Sequence, residues 1–444
     1  MARIGLALSG GGHRATLFAL GVLVYLADAA KSRDVSSISS VSGGSLTNGF
    51  VAQSVDYAAV DGPTFSAVAA RLADQISKRG TLWASWQTKA YLGLLVLSLL
   101  LPTAGVWFLP VPLWLRIVLL VIGLGLPAWV AQLRGFVCAR AFARTLFTVE
   151  GRPAALAQVH QVVDHVFCAA ELHSGEHTFF SGRFVCSYRF GWGVPGDLVL
   201  SDAVQASAAY PGAFPPRWFR TSRHRFQGAQ DARAARTKFM TLVDGGVYDN
   251  LGDEWGQGVV ERNRRWESLK PGLNEPDELV VVNCSAAYDW RSTSSLRLPL
   301  LGEALTLKRD VDILFDVSTS VRRRWLHDRL TTAGGATPSA IVQIAQSPFH
   351  VAESFAAGQD APSQRARAVL VALGDSRDEW QTLVSTSRSV KTTLNRIPQR
   401  QASCLLRHGY VLAMSNLHVL LDYPLLPLPP PERFEALARG EVMA

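Results

Sequence analysis

The chain has 444 residues, 48% of them hydrophobic and 18% charged, which excludes a disordered or low-complexity protein and leaves room for one large or two ordinary domains. A net charge of +8 and a pI near 9.4 suit an anionic membrane or nucleic acid, but no C2H2 spacing, basic heptad or interleaved basic–aromatic motif is present, so nucleic acid is not expected as a partner. The cysteines (Cys138, Cys168, Cys186, Cys284 and Cys404) are scattered and form no CxxC pair, which points to buried thiols in a reducing compartment and away from a disulfide framework or a zinc site.

No signal peptide is apparent, because the chain opens directly into a short apolar run, Arg3 to Leu8, expected to be a strand. Ser9-Gly10-Gly11-Gly12-His13-Arg14 follows, then an apolar stretch from Ala15 that reads as a buried helix. A second unit repeats the pattern. Val35 to Val41 is an apolar-alternating, β-branched run that ends abruptly at Ser42-Gly43-Gly44 before another helix. Two strand–loop–helix units in succession predict an α/β protein with a parallel sheet.

Two readings fit the glycine loop. Gly10-x-Gly12-x-x-Ala15 after a strand meets the spacing of a dinucleotide fingerprint, but the next strand ends in Ser42 rather than in an acidic residue. Alternatively, backbone N–H groups at a helix start form an oxyanion hole. A serine on a sharp strand-to-helix turn is the arrangement that exposes a nucleophilic hydroxyl, although Ser40 occupies the first position of the usual Gly-x-Ser-x-Gly. The serine turn favours the oxyanion reading.

Leu72 to Arg79 reads as a polar helix. Tyr91 to Leu109 and Leu113 to Ala131 are long apolar stretches separated by Pro110-Val111-Pro112, each about the length that crosses a bilayer core, and they account for the positive mean hydropathy of +0.14. Trp83, Trp86 and Trp129 suit one interface and Trp107 and Trp114 the other. Lys78, Arg79 and Lys89 precede the pair and Arg134, Arg140 and Arg144 follow it, so the positive-inside rule puts the rest of the chain on the cytoplasmic side. A hairpin embedded in one leaflet, or two helices buried in a soluble core, are the alternatives.

Further on, Phe179 to Phe190 reads as strand and Leu200 to Ala209 as a helix of small residues stopped by Tyr210-Pro211-Gly212. Arg217 to Lys238 reads as a basic, solvated loop able to touch anionic headgroups. Phe239 to Val243 is a strand running into Asp244-Gly245-Gly246, the strand-end position where α/β enzymes place catalytic carboxylates. Leu279 to Asn283 is another buried strand, Arg322-Arg323-Arg324 a solvated helix face, Ser389 to Leu421 a helix packed on the body, and Tyr423 to Pro431 an extended, proline-rich segment. None of the histidines has strand-end context, so Asp244 is the better base for Ser42.

The ordered set SGGGHR (Ser9 to Arg14), SGG (Ser42 to Gly44), ASAAYPGAFPP (Ala206 to Pro216) and DGG (Asp244 to Gly246), with Asn250 just beyond, resembles the patatin-like phospholipases over roughly residues 3–285. The resemblance implies a three-layer α/β sandwich with a mostly parallel central sheet, here interrupted by an inserted hydrophobic helical hairpin. It implies a Ser–Asp dyad, with Ser42 as nucleophile and Asp244 as base. It also implies an oxyanion hole from Gly10, Gly11, Gly12 and Gly43, with Arg14, Gly44, Gly245 and Gly246 in support, and neither metal nor cofactor. The expected division is residues 1–80 and 135–290 for the catalytic unit, 81–134 for the hairpin and 291–444 for a mainly helical extension. The expected activity is that of a membrane-attached serine acyl hydrolase with a phospholipid or related acyl lipid as substrate; a catalytically silent scaffold of the same fold is the alternative.

Overall fold

The computed structural model describes residues 2–108, 110, 112–285, 301–331 and 337–443. The expected boundary at 290/291, the end of the first apolar stretch at Leu109 and the turn residue Val111 lie outside these residues. The strands are β1 (Ile4–Leu8), β2 (Val35–Ser40), the small hairpin β3 (Thr148–Val149) and β4 (Arg152–Pro153), β5 (Asp164–Glu171), β6 (Glu176–Ser181), β7 (Val185–Ser187), β8 (Gly191–Gly193), β9 (Arg217–Arg220), β10 (Phe239–Asp244), β11 (Glu278–Asn283) and β12 (Ser339–Gln343). Apart from β3 and β4 they form one mixed sheet. Its centre, β12-β11-β1-β2-β5, is wholly parallel, as the two strand–loop–helix units require; β6, β7 and β8 extend it as an antiparallel meander.

Three layers follow from the alternation along β5. Phe167 and Ala169 point into the main core beneath α1 (Gly12–Asp28) and α2 (Gly43–Ser54), whereas Val166 and Cys168 join Trp255, Val259 and Trp266 on the other face. Helix α1 packs closely on helix Gln399–Leu421. A Cβ on Gly21 would stand 2.2 Å from the Leu406 carbonyl oxygen, and one on Gly409 2.1 Å from that of Phe18. Two helices that close need glycine at both crossing points.

The register around β5 sets the site. Ser40 of β2 lies opposite Phe167, and Asp244 of β10 lies opposite Ala169, two residues further along. Because β6 occupies one edge of β5, β2 and β10 share the other, end to end. The C-terminal ends of β2 and β10 are thereby brought together.

Helix α3 (Gly62–Lys78) leads to α4 (Trp86–Phe108) and α5 (Leu113–Ala131), two antiparallel helices each long and apolar enough to cross a membrane. Pro102 in α4 packs on Gly123 in α5. Outward side chains such as Leu97, Leu101, Trp107, Trp114 and Val121 are at least half exposed. Helix α6 (Arg134–Thr145) returns the chain to the body, where Gly135 lies against Arg217 and Pro215.

Several local expectations need correcting. The expected strand Phe179 to Phe190 is two strands, because Ser181 N–H closes a turn on the Phe184 carbonyl at 2.8 Å. The basic run from Arg217 contains edge strand β9, and its first arginine pairs with Asp202 at 2.6 Å. The expected helix from Ser389 begins only at Gln399, after Pro398, and residues 390–398 form a loop. Arg322 lies on a long helix, Leu301–Thr331, but is not solvated: it bridges Asp253 (2.9 Å), Asp249 (3.1 Å) and Glu254 (3.0 Å). Strands β5 and β12 were not anticipated.

Candidate active site

Ser42 caps α2 at φ 51° and ψ −115°, a backbone region costly for any residue but glycine, of the order of 1–3 kcal/mol. Its surroundings over-determine this conformation. The Ser42 N–H donates to both the carbonyl oxygen and the Oγ of Ser207 (each 3.1 Å) at the end of helix α7 (Leu200–Ser207). Gly44 N–H donates to Val41, and the two glycines admit the neighbouring backbone. A Cβ on Gly43 would stand 2.1 Å from the Gly12 carbonyl oxygen, and one on Gly44 2.5 Å from that of Leu8. Thr16 fastens the crossing with a hydroxyl donated to the Gly43 carbonyl at 2.8 Å.

Ser40 fits without disturbing the turn. Its hydroxyl is fully buried, donates to the Val166 carbonyl (3.0 Å) and accepts from Ser45 Oγ (3.0 Å) and Asn48 Nδ2 (2.9 Å). Ser45 also meets Ser207 Oγ at 2.9 Å, so one buried polar network joins β2, α2 and α7.

Asp244 ends β10 with its side chain buried. Its backbone N–H donates to Ala209 (3.1 Å) and that of Gly245 to the Ser207 carbonyl (3.3 Å), so Ser207 holds the Asp-Gly-Gly turn as well as the serine turn. Oδ1 accepts the Gly246 N–H at 2.8 Å. Burial pushes the carboxyl up to about 7, opposed first by that N–H and then by the nearby Ser42 hydroxyl. Oδ2 is buried and, among the described residues, has no hydrogen bond of good geometry, from Ser42 or from any other donor. The Ser42 hydroxyl is thus near enough to lower Asp244 but is not aligned for a hydrogen bond of good geometry.

The glycine loop lies beside this pair, a Cβ on Gly10 falling 3.4 Å from Ser42 Cβ. One expected donor is already engaged: the Gly10 N–H donates to the Asn250 carbonyl at 3.0 Å. Gly11, Gly12 and Gly43 donate to no acceptor among the described residues, and the latter two open helices, where N–H groups lack internal partners. Arg14 reaches the carbonyls of Val390 (2.8 Å) and Cys284 (3.0 Å), and His13 N–H donates to Thr393 at 2.9 Å. Thr393 backbone also fills the corner at Gly12, where a side chain would not fit. Among the described residues no histidine bonds to Ser42. Burial lowers His13, His165, His177, His224 and His408, and so keeps them neutral.

Sequence reasoning missed Ser207, the 390–395 brace and the cover. Helix Leu301–Thr331 lies over the Asp244–Asn250 turn. Phe315 stands against Gly246, Ser318 Oγ donates to the Tyr248 carbonyl (3.3 Å), Asn250 Nδ2 reaches Thr319 Oγ1 (3.4 Å), and Tyr210 donates to Asp312. The ASAAYP segment signalled a helix stop and contributed to the family resemblance; nothing in its composition marks the serine that ties two turns together.

Against solved structures the chain aligns with human GIVD cytosolic phospholipase A2 at 12% identity and a TM-score of 0.37, covering 99% of this chain and 63% of that one, so it spans under two thirds of that protein's length. It aligns with VipD from Legionella pneumophila at 13% identity and a TM-score of 0.28, covering 100% and 88%. No curated protein sequence matches it. The family model for patatin-like phospholipase matches residues 6–252, from the first strand to just past the Asp-Gly-Gly turn, and the chain belongs to that family.

Proposed function

We propose that the protein is a membrane-associated lipid acyl hydrolase working through a Ser42–Asp244 dyad. The observation that carries this reading is the pairing itself: a serine in strained backbone beside a buried carboxylate whose Oδ2 lacks a donor and whose pKa is near 7. Asp244 is then basic enough to take a proton and acidic enough to return it. Ser42 Oγ attacks the ester carbonyl carbon and passes its proton to Asp244. The N–H groups of Gly11, Gly12 and Gly43 receive the oxyanion, while Gly10 provides close approach. Collapse expels the alcohol portion of the lipid, which takes the proton back from Asp244, and leaves an acyl-serine. Water, deprotonated by Asp244, then releases the fatty acid and restores Ser42.

Membrane association rests on α4 and α5, whose exposed apolar side chains need a bilayer, and the flanking cations favour a cytoplasmic position for the body. The test is fatty-acid release from mixed phospholipid vesicles by detergent-purified protein, alongside Ser42→Ala and Asp244→Asn. Release and fluorophosphonate labelling by the wild type are expected, with release reduced at least about a thousand-fold in both variants. Undiminished release by folded Ser42→Ala would overturn the dyad. A wild type that neither releases fatty acid nor labels would indicate a silent scaffold.

A further inference from the structure

Helix Leu301–Thr331 has two working faces. Asp312, Phe315, Thr319 and Arg322, at helical spacing, meet the body over the Asp244–Asn250 turn. On the other side Leu314 is 66% exposed, Val317 52% and Val321 51%, with Ile313 beside them. Such a contiguous apolar patch on a solvent face marks a contact surface. Charged Asp310 and Arg324 bound it along the same face, so it is too short to span a bilayer and suits shallow insertion at the headgroup–acyl boundary.

We propose that this outer face is a bilayer-docking surface, seated on the membrane that receives α4 and α5. The chain between the two elements supplies the continuity. Tyr210 holds Asp312 on the helix, while five and seven residues later Pro215 and Arg217 pack on Gly135 at the foot of the hairpin. Trp218, the next residue, is 57% exposed on edge strand β9, with exposed Arg220 on the same strand, a pairing typical of a membrane interface. A single short segment, Tyr210 to Arg220, thus links the helix, edge strand β9 and the hairpin foot. The helix then separates the lipid surface from the serine, which makes its docking relevant to substrate entry; this last link rests on the hydrolase reading.

The test places a nitroxide at Leu314→Cys or Val317→Cys in the full chain, with Cys404→Ser removing the half-buried thiol. Val371→Cys, 82% exposed on a different helix, is the control. The protein is reconstituted in phosphatidylcholine–phosphatidylglycerol nanodiscs. Collision with oxygen several-fold above collision with a water-soluble nickel chelate is expected at 314 and 317, and the reverse at 371. Nickel accessibility at 314 and 317 equal to that at 371 would overturn the proposal. So would spin–spin broadening already present in detergent, which would indicate a second copy as the occupant. In parallel, Leu314→Asp/Val317→Asp should slow vesicle hydrolysis at least ten-fold while changing cleavage of a soluble short-chain ester by less than two-fold; equal loss on both substrates would also overturn it. Absence of Ser42-dependent cleavage of the soluble ester by the wild type would instead defeat the hydrolase reading, with the nitroxide result unaffected.

Discussion

Ser42 and Asp244 place opposite demands on the fold, one being strained and the other desolvated. For Asp244 the consequence is a pH dependence of known sign. Its folded-state pKa, about 7, lies well above the ordinary aspartate value of about 4, so the folded chain binds the proton more tightly than the unfolded one. The stability attached to this group is full below pH 4 and is lost as pH rises from about 4 to about 7. The loss is of the order of 4 kcal/mol at most, from 1.36 kcal/mol per unit. Asp244→Asn should therefore raise the melting temperature relative to wild type at pH 8 and not at pH 4, as thermal denaturation would show. Activity through the proposed dyad runs the other way, because Asp244 must be ionised to take the serine proton: kcat/KM should climb about ten-fold per unit below pH 7 and level off above it. Ser40→Gly should cost about 1 kcal/mol, since Asn48 keeps the Ile38 and Val166 carbonyls when the hydroxyl is lost. Its activity should stay within a few-fold of wild type.

At the scale of elements, the parts nearest the chemistry were the most legible, because glycine, serine and aspartate at strand ends carry backbone requirements that composition cannot hide. Gly43 and Gly44 are needed because Gly12 and Leu8 stand against them. Strand β5 was missed although it is the hub of the sheet. DHVFCAAE is buried on both faces and includes alanine and charge, so it shows no period of two. The solvated reading of Arg322 failed for a related reason: its partners, Asp249, Asp253 and Glu254, lie far away in sequence. The brace on the glycine loop was equally invisible, since carbonyls carry no sequence signal. It makes a clear prediction. Arg14→Ala would leave the Val390 and Cys284 carbonyls buried without donors, at a cost of about 2–4 kcal/mol. Denaturant unfolding should show that loss, and slower cleavage of a soluble ester should accompany it if the glycine loop shifts. An unchanged midpoint would mean that water replaces the guanidinium.

Across the whole molecule, the family region and the later segments share one sheet: β11 lies beside β1 and β12 beside β11, and helix Gln399–Leu421 packs on α1. The hairpin is the exception, touching the body mainly at its foot. Pro102 faces Gly123, and the same pairing sets Tyr91 beside Arg134, so residues 95 and 130 lie opposite each other. Excising 95–129 and joining the ends with a short glycine–serine linker removes the apolar shafts, keeps the buried Val130 and should leave the proposed dyad in place. The shortened protein should stay in the supernatant without detergent and label with a fluorophosphonate at the wild-type rate. Vesicle hydrolysis should fall sharply at low lipid and recover as lipid is raised, because the proposed role of the hairpin is to raise local substrate concentration rather than to shape the site. A shortened protein that still sediments with membranes would assign attachment to other surfaces, and one that no longer labels would make the hairpin a structural part of the site. Recovery at high lipid separates anchoring from catalysis, since a damaged dyad would remain slow at every lipid concentration.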